Sequence, residues 1–177
     1  MKKTLLLMKA VQKNQQKKIL MQKQQREQPK ERTVKAEIVV DGQPVGKGRP
    51  KFVRQGNFVR TYTPEKTKEY EELIQTIWQL KAKDSNYHTV FFPAGTPVSV
   101  MITAYYKIPN GTNKAKKAEM LTGKIRPLVK PDFDNVVKAV CDALNGIAYD
   151  DDKQIVESRV VKFYSDNPRV EIAISDI

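Results

Sequence analysis

The chain has 177 residues, 40% hydrophobic and 29% charged, values that suit one globular domain with a real core. No apolar run approaches the roughly 20 residues that span a bilayer, so no membrane is expected, and Lys9 cuts short the apolar stretch Leu5–Met8 that would otherwise suggest a secretion signal. The net charge of +12 points to a polyanionic partner, and the single Cys141 excludes an intrachain disulfide and favours a cytoplasmic location.

Charge divides the chain. Residues 1–33 carry ten Lys/Arg against two Glu, whereas residues 34–177 carry 22 basic and 18 acidic residues. The first segment is therefore expected to be a basic N-terminal extension, either helical up to Pro29 or disordered until a partner orders it. The folded domain is expected over 34–177. Its first strand is predicted at Val34 to Val40, before the turn signal Asp41-Gly42. A glycine-rich basic segment, Gly46 to Lys51, follows, then a hairpin over Phe52 to Tyr62 around Gln55-Gly56-Asn57. Thr63 as N-cap and Pro64 at the first helical position start a helix in which Tyr70, Leu73, Ile74, Ile77 and Trp78 form an apolar stripe.

Alternation from Val98 to Tyr106 predicts the next strand. The segment Lys107 to Lys130 reads as a polar loop with a short helix over Asn113 to Met120. It carries Lys107, Lys114, Lys116, Lys117, Lys124, Arg126 and Lys130 against the single acid Glu119. A second main helix is predicted over Phe133 to Leu144, stopped by Asn145-Gly146, and two strands, Ile155 to Tyr164 and Arg169 to Ile174, close the domain. The fold class is therefore α/β (α+β): a mixed sheet with helices packed on it.

The common nucleophilic catalysts are not arranged for chemistry. Cys141 shares the apolar face of its helix with Val137 and Leu144, and His88 has no evident acid partner. The carboxylates fall instead into two clusters, Asp132 with Asp134, and Asp150-Asp151-Asp152. Each has a structural alternative: Asp132 as a helix cap, Asp134–Lys138–Asp142 as a solvated ion-pair ladder, the second cluster as an acidic turn. Acids gathered together repel unless a cation neutralises them, and hard oxygen donors suit Mg²⁺, with Mn²⁺ as a substitute. A basic rim around such acids fits metal-assisted phosphodiester hydrolysis. Lys47, Arg49, Lys51, Lys114, Lys116, Lys117, Lys124, Arg126 and Lys130 are the candidate phosphate contacts. The two glycines of Gly46–Lys51 would allow close backbone approach to phosphate.

The run Lys130-Pro131-Asp132-Phe133-Asp134-Asn135-Val136-Val137-Lys138, continued by Asp142-Ala143-Leu144-Asn145-Gly146 and Asp151-Asp152-Lys153-Gln154-Ile155, resembles the RusA family of Holliday-junction resolvases. Gly46–Phe52 and Thr61-Tyr62-Thr63-Pro64 resemble Gram-positive and phage members. The resemblance implies a homodimeric, Mg²⁺-dependent endonuclease that resolves four-way DNA junctions by paired symmetric nicks. It implies Asp132, Asp134 and Asp152 as catalytic metal-binding acids, Lys138 as the catalytic lysine, and supporting places for Asn135, Asp142 and Asp151. The rivals are a Mg²⁺ nuclease for flaps or forks and a branched-DNA-binding recombination factor without cleavage.

Overall fold

The computed structural model describes residues 15, 36–56, 58–83 and 91–177. The N-terminal extension and His88 lie outside the described residues. In chain order the elements are β1 (Ala36–Asp41), β2 (Lys51–Gln55), β3 (Phe58–Tyr62), α1 (Glu65–Lys83), β4 (Val98–Lys107), α2 (Lys114–Leu121), α3 (Phe133–Leu144), a 3-10 turn (Asp152–Gln154), β5 (Ile155–Ser165) and β6 (Arg169–Asp176).

Four strands form one sheet in the order β1-β6-β4-β5, while β2 and β3 make a separate two-stranded ribbon. β4 and β5 run parallel, and the other two pairings in the sheet are antiparallel, so it is mixed as expected. Register places apolar side chains in rows across the buried face. Ala36 opposes Ile174, which opposes Val100; Ile38, Ile172 and Ile102 form the next row; Val40, Val170 and Ala104 the third. All nine are buried. The period of two makes this possible, because a slip by one residue would turn the whole set outward.

Helices α1 and α3 supply the other half of that core. α3 contributes Val136, Ala139, Val140, Ala143 and Leu144, and α1 contributes Tyr70, Ile74 and Trp78. The α1 stripe is narrower than the sequence suggests: Ile77 is partly buried and Leu73 is 42% exposed. The helix therefore seats along an i, i+4 line. It also begins one residue later than expected, since the Pro64 carbonyl accepts from Thr67 and Lys68 N–H at 2.9 and 3.2 Å. Pro64, rather than Thr63, thus stands at the cap.

Candidate active site

The two acidic clusters sit at the ends of α3, and separate devices place them. Before the helix, the Lys130–Pro131 peptide is cis, and the Pro131 carbonyl accepts from the Tyr106 hydroxyl at 2.9 Å and from Lys162 Nζ at 3.0 Å. Asp132 is the N-cap residue, yet its side chain makes no capping hydrogen bond. The capping alternative therefore does not account for it. After the helix, Gly146 at φ 71° turns the chain, and its N–H donates to the Tyr149 carbonyl at 2.8 Å. Only glycine takes that backbone region without cost. The loop then folds back, and the fully buried Tyr149 donates its hydroxyl to the Cys141 carbonyl at 2.9 Å.

The acidic turn that follows is fixed from both sides. Asp151 caps the 3-10 turn and accepts from the Lys153 backbone N–H at 3.0 Å, while the Gln154 side chain accepts from the Asp151 N–H at 3.0 Å. Hydrogen bonds from Lys153 hold the Asp151 carboxyl below the usual carboxylate range. Gln154 is buried and donates Nε2 to the carbonyls of Phe92, Pro93 and Thr96 at 3.3, 2.8 and 3.0 Å. In the sequence this glutamine carries only the family resemblance. Its structural task carries no local signal, because its acceptors lie about 60 residues upstream.

The outcome is an open pocket of about 370 Å³ lined by Asp134, Lys138, Asp142 and Asp152, with Phe133, Val137, Cys141, Ile155 and Ser158. Lys138 Nζ lies 3.6 Å from Asp142 Oδ1. Burial pushes the Cys141 thiol up to about 11, and the charges of Asp142 and Asp152 add to that. A thiol held neutral in this way is no nucleophile, in line with its packing role.

Asp132 does not line that pocket. It lines a larger cavity of about 910 Å³ with Lys130, Asn135, Lys47, Arg49, Lys66 and other residues of the 43–49 segment. Its charge reaches Tyr106 and Lys162: burial first, then Asp132, raises the Tyr106 hydroxyl to about 12, while burial lowers the Lys162 ammonium against the pull of Asp132. Asp132 is the extended N-cap residue, whereas Asp134 stands in the first turn of the helix. Among the described residues, no three His, Cys, Asp or Glu converge to hold a metal ion. The structure thus joins Asp134 and Asp152 in one pocket and puts Asp132 beside it. Two carboxylates nonetheless fit Mg²⁺, which commonly takes one or two from protein and fills its octahedron with water and phosphate oxygens.

Several of the basic residues have partners within the protein. Lys47 Nζ bridges Glu71 Oε1 at 2.7 Å and Asp142 Oδ2 at 2.8 Å, tying α1 to α3. Burial pulls its ammonium down, but these bonds and charges outweigh that and hold it above the usual value. Lys47 thus ties the two helices together. The flanking glycines are also packing features: a Cβ on Gly46 would lie 2.6 Å from Pro131 Cβ, and one on Gly48 would lie 2.9 Å from Pro64 Cγ. Their backbone neighbours bond to protein, Lys47 N–H to the Asn135 carbonyl at 2.8 Å and Gly48 N–H to Thr67 Oγ1 at 3.1 Å. That Asn135 carbonyl joins the first turn of α3 to the 43–49 segment. Lys117 pairs with Asp166 at 2.7 Å, and Lys124 pairs with Glu119. Arg126 lies 3.5 Å over the Phe163 ring and donates to the Lys162 carbonyl. Arg49, Lys51, Lys114, Lys116 and Lys130 remain as exposed cations. Lys162, beside Asp132, is a cation that strand periodicity gave no reason to single out.

Comparison with known proteins shows the family. The chain is 36% identical over 142 residues to the uncharacterized protein YqaN of Bacillus subtilis (strain 168), a match covering 79% of this chain and 95% of that protein. The family profile described as endodeoxyribonuclease RusA matches residues 41–175, a span that holds both acidic clusters and every element after β1 except the last residue of β6. The chain belongs to the RusA family of endodeoxyribonucleases, nucleases that act on branched DNA.

Proposed function

We propose that this protein is a Mg²⁺-dependent Holliday-junction resolvase that works as a homodimer in the cytoplasm and nicks two opposed strands of a four-way junction. The observation that carries the reading is the shared pocket of Asp134, Lys138, Asp142 and Asp152. Two acids, a lysine and a third, lysine-bound acid around one open space suit phosphodiester hydrolysis better than any other chemistry within reach of these side chains.

Asp134 and Asp152 would hold the metal within the pocket. Asp132 would join them from the helix N-cap, since its carboxylate has no capping bond to break first. A bound Mg²⁺, or Mn²⁺ in its place, would supply an activated water and neutralise charge on the scissile phosphate. Lys138 is well placed to meet that phosphate: its side chain is 62% exposed, and its loose pairing with Asp142 keeps the ammonium at the pocket. Asp142 is itself anchored by Lys47, so the lysine is oriented from a fixed point. Selectivity for a junction would come from its shape, with Arg49, Lys51, Lys114, Lys116 and Lys130 on phosphates. A two-fold dimer would present two such pockets to two opposed strands.

The test is cleavage of a labelled four-way junction against flaps, forks and linear duplex, in Mg²⁺ and in EDTA. Paired symmetric nicks in the junction alone, dependent on Mg²⁺, are expected. Preference for flaps or forks would contradict the proposal.

A further inference from the structure

The β2–β3 ribbon is apolar and uncovered. Every residue of β3 is exposed, with Phe58 at 80%, Val59 at 66% and Tyr62 at 44%. On β2, Phe52 is 71% exposed and Val53 48%. The ribbon pairs with itself and takes no part in the four-stranded sheet. Exposed aromatic surface on that scale is costly in water and marks a binding face.

Its register sorts the side chains. Cross-strand partners share a face, so Lys51 with Tyr62 and Val53 with Arg60 lie on one side together with Phe58 near the turn. Phe52 with Thr61, and Arg54 with Val59, lie on the other. Each face thus carries an aromatic ring beside a cation. Arg54 is partly engaged, donating Nε to the Gly56 carbonyl at the turn. From Gly42 to Pro64 the sequence contains no Asp or Glu, while it contains Lys47, Arg49, Lys51, Arg54 and Arg60. A surface that alternates rings with positive charge, and lacks any negative charge, complements a polyanion with stackable faces. The ribbon is also continuous with the 43–49 segment that lines the cavity at Asp132.

We infer that the β2–β3 ribbon is a branch-point reader: Phe58 and Phe52 stack on bases left unstacked at a DNA branch, while Lys51 and Arg60 hold the flanking phosphates. This rests on the branched-DNA reading of the active site and adds the residues that sense the branch. A paired base in continuous duplex hides its faces between neighbours, so the rings find a partner only where the stack is interrupted. The ribbon would therefore discriminate junction from duplex, whereas the exposed cations alone would bind both.

The test uses full-length wild type, Phe58→Ala and Phe58→Trp, with 2-aminopurine at the branch of a four-way junction and in a matched duplex, in EDTA. Wild type is expected to change the aminopurine fluorescence in the junction only. Phe58→Ala should lose that change and about tenfold in junction affinity, with duplex affinity unchanged. Phe58→Trp should restore both. The ribbon residue is exposed, so folding is preserved, and circular dichroism verifies it. If wild type prefers the junction and Phe58→Ala behaves as wild type, this inference falls and the junction reading stands. If Phe58→Ala converts a dimer to a monomer, the ribbon belongs to a second copy of the chain, and the inference is overturned. If wild type shows no preference for the junction, the junction reading itself fails.

Discussion

Lys47 Nζ lies 2.8 Å from Asp142 Oδ2, and the same ammonium lies 2.7 Å from Glu71 Oε1, so one side chain joins the two core helices directly behind the acidic pocket. All three groups are less than a third exposed. Replacing Lys47 by Met keeps the aliphatic stem and leaves two carboxylates facing each other. The expected loss is about 2 kcal/mol of unfolding free energy, measured by urea denaturation. The salt dependence of DNA binding should stay as in wild type, because the lysine makes no phosphate contact in this account.

The same pair sets a pH dependence. The Lys47 ammonium is held above 10.5, so the proton binds more tightly in the folded chain. Its contribution is fully present below the unfolded value and is lost as pH rises through the folded one. The stability gap between wild type and Lys47→Met should therefore be flat through neutral pH and close only above 10.5. A gap that closes on acidification to neutrality would contradict the assignment.

Gln154 offers a second structural test. Its amide donates to three carbonyls of the Phe92–Thr96 segment and holds the turn that presents Asp152. Gln154→Ala leaves those acceptors without their donor in a buried place. A destabilisation of about 2 kcal/mol is expected, together with a fall in cleavage rate larger than the fall in junction affinity. Equal kcat for the variant and wild type would show that the turn does not position Asp152.

The local signals that made the fold legible are specific. Asp132 and Asn145-Gly146 bracket a strongly amphipathic segment, and α3 runs from Phe133 to Leu144 as those signals require. β4 and β6 follow from alternation, and the ribbon from the turn at Gly56. What was not legible depends on contacts far apart in sequence. Gly46 and Gly48 read as a phosphate loop, yet they are small because Pro131 and Pro64 crowd them. Lys47 reads as a phosphate contact, but its partners are 24 and 95 positions away. The acids are legible in the sequence as two clusters, and the fold-back of the loop puts Asp152 in one pocket with Asp134. Asp132 lines one cavity and Asp134 with Asp152 another, a placement that a list of acids does not display.

Residues 1–33, with ten cations against two acids, are expected to add nonspecific affinity. Deleting them should lower junction affinity and flatten the plot of log affinity against log salt. Unchanged values of both would show that the extension does not touch DNA.

The most direct test of the central claim compares wild type with Asp134→Asn on a labelled four-way junction in Mg²⁺. Asp134 lines the pocket with Asp152 and Lys138 and makes no capping or ion-pair contact among the described residues that its loss would disturb. Asp134→Asn is expected to abolish cleavage while junction binding is kept or strengthened, since a negative charge beside DNA is removed. Cleavage by the variant at the wild-type rate would contradict it.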